Sequence, residues 1–195
     1  MSSRLTVIAA GAVLLVAGGS AQAGTRKAPH CARSGARDVA ADARGRIYEL
    51  RTHGLAPWYA CLRSRDRPLF IDESSPPESV LSLPAVASPF AAVVIDKLST
   101  NGPVSEVNLI DMRSGGIPTA LAPGGVSDLV LTKHGVVAWI QAGDPGVPRS
   151  VRRMDRHGDV AQLDSGDIAA GSLAVSPDGR HLYWTREGVA RTAAA

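Results

Sequence analysis

A tight turn separates two short apolar segments in Ser172-Leu-Ala-Val-Ser176-Pro177-Asp178-Gly179-Arg180-His-Leu-Tyr-Trp184. Pro177 presets the backbone angle φ of such a turn, and the carboxylate of Asp178 accepts hydrogen bonds from nearby backbone N–H groups. Gly179 tolerates the positive φ that residues with a side chain resist. The residues Ser176, Pro177, Asp178 and Gly179 therefore predict a structural turn between two antiparallel strands.

Elements of the same kind recur along the chain at intervals of 44 or 45 residues. A short apolar segment begins each interval, at Ile47–Leu50, Ala92–Asp96, Val136–Ile140 and His181–Thr185. Turns at Asp111 and Asp155 are also 44 residues apart, and each is followed by another short apolar segment. Because a fixed period of this length indicates a repeated structural unit, we expect about four strands in each unit.

The apolar segments are four to six residues long, and clusters of Gly, Pro, Asp and Ser separate them. Such short runs between turn-forming residues are typical of strands. Residues 36–44 also suit a helix, because they hold four alanines and no helix breaker, but the repeat requires a strand there. Residues 74–79, with Pro76 and Pro77, indicate a linker between units.

Units of four strands and 40 to 50 residues are typical of β-propellers, whose blades bury their faces only against neighbouring blades. We therefore predict an all-β, β-propeller-like fold of about four blades with up to four antiparallel strands each. The units lie near residues 34–75, 80–123, 124–168 and 169–195. Since the last unit is short, either residues 25–33 supply its outer strand, or the ring stays open and pairs with another copy.

The turn at residues 176–179 and its flanking strands resemble the SPDG element of TolB-type, WD-like propeller repeats. Val151–Gly158 resembles a later strand of that repeat and its terminal Asp-x-x-Gly turn. The resemblance spans residues 36–191, but only the last unit carries the full turn signature. It implies a propeller whose relatives usually have six blades, whereas this chain has room for about four.

Residues 1–23 have the pattern of a signal peptide, which leaves residues 24–195 as the β-propeller-like domain. Arg4 precedes the 13-residue apolar run Leu5–Ala17, and Ala21-Gln-Ala23 matches the small-residue cleavage pattern. We predict an extracytoplasmic protein, secreted or periplasmic, with no stable membrane span after cleavage. The alternative is an uncleaved N-terminal anchor, which Arg26 and Lys27 after the cleavage site slightly favour.

The chain has two cysteines, Cys31 and Cys61, and export to an oxidising compartment predicts a disulfide between them. A loop of that length stabilises a folded chain by about 3–4 kcal/mol on the loop-entropy argument. Two unpaired thiols are the alternative. A metal site would need more ligands than these cysteines and His30 provide, so no metal site is predicted.

The composition argues against several classes of function. The formal net charge is +3, and the basic residues are spread along the chain rather than clustered, so nucleic acid is not an expected partner. No nucleophile elbow, phosphate-binding loop or His pair with metal-ligand spacing is present. We assign no catalytic, cofactor-binding or metal-binding residue, and we expect no cofactor. Most aspartates fall at turns, where their carboxylates cap backbone N–H groups.

These features predict an exported binding protein whose partner is another protein or a component of the cell envelope. One alternative is a small secreted hydrolase or lyase that uses acids and His181 around a central channel. Another is a purely structural scaffold, which can associate with itself if the ring is open. A pocket that holds two carboxylates, or one carboxylate with His181, would favour the enzyme.

Overall fold

The computed structural model describes residue 31 and residues 34–51, 55–65, 67–74, 79–99, 102–143 and 146–195. Its 15 strands form four antiparallel sheets, and the described residues contain no helix. The prediction of an all-β chain with about four sheets of up to four strands is confirmed. The expected signal peptide at residues 1–23 and the expected closing strand at residues 25–33 lie outside the described residues, apart from Cys31.

Each sheet is a simple meander in which consecutive strands pair. Sheet I contains β1 Ala36–Ala41, β2 Gly45–Leu50, β3 Ala56–Leu62 and β4 Leu69–Ser74. Sheet II contains β5 Ser79–Ala87, β6 Phe90–Ser99, β7 Gly102–Asp111 and β8 Thr119–Pro123. Sheet III contains β9 Val126–Leu131, β10 Val137–Gln141, β11 Arg149–Met154 and β12 Val160–Gly166. Sheet IV contains β13 Ala174–Val175, β14 His181–Arg186 and β15 Val189–Ala194. Strand β1 confirms that residues 36–44 favour a strand over a helix.

The first strands of the sheets lie next to one another. Strand β1 contacts β5, β5 contacts β9, and β9 contacts β13. Sheets whose first strands converge and whose later strands diverge are arranged radially, as the blades of a propeller are. Within the described residues no strand pairing joins one sheet to another, and the sheets are not closed into a ring.

Three apolar cores lie between consecutive sheets. Between sheets I and II the core includes Ile47 and Ile110. Phe90 packs against Trp139 and its neighbours in the core between sheets II and III, and Trp184 lies in the core between sheets III and IV. Trp139 and Trp184 are thus packing residues between sheets rather than a binding platform. Because sheet III is covered on both faces, its second strand, β10, is almost wholly buried.

A disulfide joins Cys31 to Cys61 in β3, with their Cα atoms 5.8 Å apart. Both cysteines pack with Tyr48 and Leu50 on the face of sheet I that points away from sheet II. The cross-link therefore ties the chain before β1 to the outer face of the first sheet.

The turn at residues 176–179 has the geometry of a tight hairpin. The N–H of Gly179 donates to the carbonyl of Ser176 at 2.8 Å, and Gly179 has a φ of +76°. The Ser176 hydroxyl donates to the Asp178 carboxylate at 2.5 Å, and the N–H of Arg180 donates to the same oxygen at 3.0 Å. The hydrogen bond from Ser176 contributes most, and together these bonds hold the pKa of Asp178 below its usual value.

Replacing Gly179 with valine should destabilise this hairpin. The positive φ costs a residue with a side chain about 1–2 kcal/mol, and a Cβ atom at Gly179 would lie 3.3 Å from Cδ2 of His134 in sheet III. We expect a lower melting temperature in thermal denaturation followed by circular dichroism. Gly179→Asn is the control. Asparagine tolerates this φ better than valine does, so the melting temperature of this variant should fall by less. Equal melting temperatures for Gly179→Val and the unmodified protein would contradict the geometry of the turn.

Candidate functional site

A cavity of about 450 Å³ lies between sheets I and II at one edge of the sheets. This edge, which we call the turn edge, carries the β1–β2 and β3–β4 turns of sheet I and the corresponding turns of sheet II. Four arginines line the cavity, namely Arg44, Arg63, Arg65 and Arg113. We call it the arginine cavity. The described residues that line it include no aspartate, glutamate, histidine or cysteine.

Asp42 joins sheet I to sheet II beside the arginine cavity, through Ser88, which lines the cavity. Its carboxylate accepts hydrogen bonds from the backbone N–H of Ser88 at 2.7 Å and from the Ser88 hydroxyl at 2.8 Å. The N–H groups of Arg44 and Gly45 donate to the same carboxylate at 2.7 and 2.8 Å. Burial disfavours the charged form, but these four donors outweigh it and hold the pKa of Asp42 below its usual value.

Two of the arginines also bridge the sheets. Nη2 of Arg44 donates to the backbone carbonyl of Ser88 at 2.7 Å, and Nη1 of Arg65 donates to the carbonyl of Arg113 at 2.7 Å. An arginine has five N–H donors, so each of these guanidinium groups keeps most of its donors for another acceptor. The bridges position the two guanidinium groups in advance, while both side chains remain exposed.

The positive charge of the arginine cavity is only weakly balanced. Nη2 of Arg63 lies 3.9 Å from the Asp38 carboxylate, and Nε of Arg113 lies 3.5 Å from that of Asp111. Both arginine side chains are about half exposed, at 48% and 50%. Ion pairs at such exposed positions contribute little free energy. The cavity therefore presents an open, positively charged surface.

Two further cavities lie at other seams between strands. One of about 260 Å³ at the turn edge of sheets II and III is lined by Asp111, Ser114 and His157 among others. The other, of about 360 Å³, lies on sheet III and is lined by Arg152. None of the three cavities is lined by two carboxylates or by His181. In the part of the chain that the structure describes, no group of three potential metal ligands is found.

Most of the aspartates cap backbone N–H groups, as the sequence indicates. This is the arrangement at Asp111, Asp155, Asp164 and Asp178. Asp164 also joins sheets III and IV, because it accepts hydrogen bonds from Nε1 of Trp184 and Nη1 of Arg186, both at 2.8 Å. Asp96 differs, since it accepts from the hydroxyl groups of Ser82 and Ser105 instead.

His134 and His181 both lie at exposed positions. Nε2 of His134 is 3.2 Å from the carbonyl oxygen of Asp178, a contact between sheets III and IV. His181 begins β14, the second strand of sheet IV, and is exposed there. The first strands of the sheets converge, so His181 would have to lie on a first strand to line a central channel.

The four arginines were not identified from the sequence, because they come from three separate segments of the chain and match no motif. The repeat does contain a weaker indication that arginines gather at the turn edge. Each capping aspartate at the turn edge is followed within two residues by an arginine, in the pairs Asp42 and Arg44, Asp111 and Arg113, Asp155 and Arg156, and Asp178 and Arg180. This pattern places one arginine of each unit on the same edge.

No helix among the described residues has the length and apolar character needed to cross a membrane. No family model matches the chain, and neither does any curated protein. Several solved structures are similar at low sequence identity. The β-propeller domain of the Trilobed protease from Pyrococcus furiosus is 13% identical with a TM-score of 0.47, over 57% of this chain and 35% of that one.

A prolyl endopeptidase structure is 16% identical with a TM-score of 0.49, over 83% of this chain and 29% of that one. An uncharacterised protein from Listeria monocytogenes is 9% identical with a TM-score of 0.42, over 83% of this chain and 57% of that one. The chain thus spans less than two thirds of the length of each of these structures. The similarity concerns the arrangement of strands and says nothing of what the chain binds.

Proposed function

We propose that the chain is a binding protein that recognises an acidic segment of a protein partner through the arginine cavity. The observation that carries the proposal is the set of four arginines around a cavity of about 450 Å³ whose described lining residues include no carboxylate. Pockets of this size are within the range of those that bind ligands.

The chemistry of the lining groups favours carboxylates as ligands. A guanidinium group offers paired N–H donors in the fixed geometry that a carboxylate accepts. Arg44 and Arg65 are each held by one hydrogen bond to the neighbouring sheet, so less side-chain freedom is lost when a ligand binds. The exposed arginines, with their weak internal partners, supply a charge that attracts an acidic segment at long range.

Binding is favoured over catalysis at this position. Of the two serines that line the cavity, Ser64 has no histidine or carboxylate beside it among the described lining residues to act as a general base. The Ser88 hydroxyl donates its proton to Asp42, which serves the contact between the sheets. The arrangement is therefore suited to holding an anionic group in place.

We further infer that the protein acts outside the cytoplasm and that its repeats are of the TolB type. The disulfide between Cys31 and Cys61 supports the location, because such bonds persist in oxidising compartments. The turn at residues 176–179 supports the relationship to TolB-type repeats through its Ser-Pro-Asp-Gly sequence and its geometry.

A charge reversal in the arginine cavity tests the proposed function. Fluorescence anisotropy would follow the binding of a fluorescein-labelled hexaglutamate peptide to the full chain and to the Arg63→Glu/Arg65→Glu variant. We expect the variant to bind about tenfold more weakly or worse, and the affinity of the unmodified protein to fall as salt is added. Arg191→Glu is the matched control, since Arg191 is an exposed arginine of β15 outside the cavity.

Several results would contradict the proposal. A hexaglutamine peptide that binds as tightly would show that charge is not recognised. Equal weakening by Arg191→Glu would show that only the net charge of the chain matters. Because Arg65 contributes a bond between the sheets, Arg63→Ala provides a milder second variant, and unchanged binding by both cavity variants would exclude the arginine cavity.

A further inference from the structure

A second cleft, of about 360 Å³, lies on the face of sheet III that is turned toward sheet II. Cross-strand pairing places Gln141 opposite Ser150 and Ser150 opposite Ser165. Arg152 pairs with Gln162 in the next row. These five side chains line the cleft, which we call the β10–β12 cleft, and it is separate from the arginine cavity.

Among the described residues that line the β10–β12 cleft, Arg152 is the only charged one. Arg152 forms no ion pair with any described residue. Nη1 of Arg152 donates to the amide oxygen of Gln141 at 3.3 Å. Nε of Arg152 is buried and has no acceptor among the described residues. A half-buried guanidinium group whose Nε–H has no acceptor lowers stability unless an acceptor from outside the chain binds to it.

The other polar groups of the cleft both donate and accept hydrogen bonds. The amides of Gln141 and Gln162 and the hydroxyls of Ser150 and Ser165 all have this double capacity, which suits hydroxyl groups on a ligand. Nε2 of Gln141 donates to the carbonyl of Pro123 at 2.9 Å, so its amide is held in position by sheet II.

We propose that the β10–β12 cleft binds a small hydroxylated carboxylate, with the carboxylate on Arg152 and the hydroxyl groups on the serines and glutamines. The guanidinium group selects the carboxylate, because its paired donors match the two carboxylate oxygens. The neutral side chains select the hydroxyl groups. The binding site is independent of the proposed acidic partner at the arginine cavity.

Isothermal titration calorimetry with gluconate tests this inference on the full chain. Sorbitol is the matched neutral compound, since it keeps the hydroxyl groups and lacks the carboxylate. We expect saturable binding of gluconate, none of sorbitol, and weaker binding of inorganic phosphate. Arg152→Gln should weaken gluconate binding by about tenfold or more, because a charge-assisted hydrogen bond is lost.

Arg153→Gln is the matched control, because Arg153 is the next residue of β11 and points to the opposite face of the sheet. Gln162→Ala is a second cleft variant at an exposed side chain, so that folding is preserved, and it should weaken gluconate binding without creating affinity for sorbitol. The inference is overturned by the absence of saturable gluconate binding, by equal binding of sorbitol or phosphate, or by equal effects of Arg152→Gln and Arg153→Gln.

Discussion

Replacing Gly135 with alanine is expected to lower the free energy of unfolding by about 2–5 kcal/mol. Gly135 is buried in the β9–β10 turn with a φ of +79°. A Cβ atom there would lie 2.7 Å from the ring of Phe90 in sheet II, which is closer than packed atoms allow. The substitution therefore combines backbone strain with a clash between two sheets. Urea denaturation followed by tryptophan fluorescence measures the loss.

Gly188→Ala separates the two contributions. Gly188 has a φ of +73°, and a Cβ atom there would meet nothing within 4 Å. The free energy of unfolding of Gly188→Ala should therefore fall only by the cost of the positive φ, about 1–2 kcal/mol. If Gly135→Ala costs no more than Gly188→Ala, then Phe90 does not pack against the turn of the neighbouring sheet.

Replacing Asp42 with alanine is expected to cost about 2–4 kcal/mol of stability, since four hydrogen-bond donors lose their common acceptor. Two of those donors are the N–H and the hydroxyl of Ser88, so the loss weakens the contact between sheets I and II. Asp167→Ala is the matched control, because Asp167 is exposed and its side chain takes part in none of the hydrogen bonds described for this part of the chain. Equal melting temperatures for the two variants would contradict this role of Asp42.

The same carboxylate makes stability depend on pH in acid. Because the pKa of Asp42 is lowered on folding, its contribution is present above the ordinary value of 3.8 and is lost as pH falls through the lower pKa of the folded state. The unmodified protein should therefore lose its stability advantage over Asp42→Ala in that acid range. A constant difference in melting temperature from neutral pH down to that range would show that the carboxylate is not held in this way.

Local sequence patterns predicted the sheets well, because a meander depends on turns and short apolar segments close in the chain. The turn at residues 176–179 and the strand at residues 36–44 are examples. The contacts between sheets could not be predicted from such patterns. Asp42 meets Ser88 and Arg65 meets Arg113 only after the sheets have stacked, across 46 and 48 residues of chain. The arginine cavity arises from these contacts, so its residues had no common motif to reveal them.

The separate sheets stack face to face in chain order. At each junction, a glycine at the turn edge receives a side chain from the adjacent sheet. A Cβ built on Gly45 would meet Oγ of Ser88 and, at 2.8 Å, Cε of Met112. A Cβ on Gly135 would lie 2.7 Å from the ring of Phe90, and one on Gly179 would lie 3.3 Å from Cδ2 of His134. Each pair joins two consecutive sheets.

A nuclear Overhauser spectrum of the isotope-labelled protein measures all three contacts at once. We expect cross-peaks from the glycine Hα protons to the Met112 methyl group, to the Phe90 ring and to the His134 ring, respectively. A spectrum that shows the contacts within each hairpin but none of these three cross-peaks would contradict the stacked arrangement.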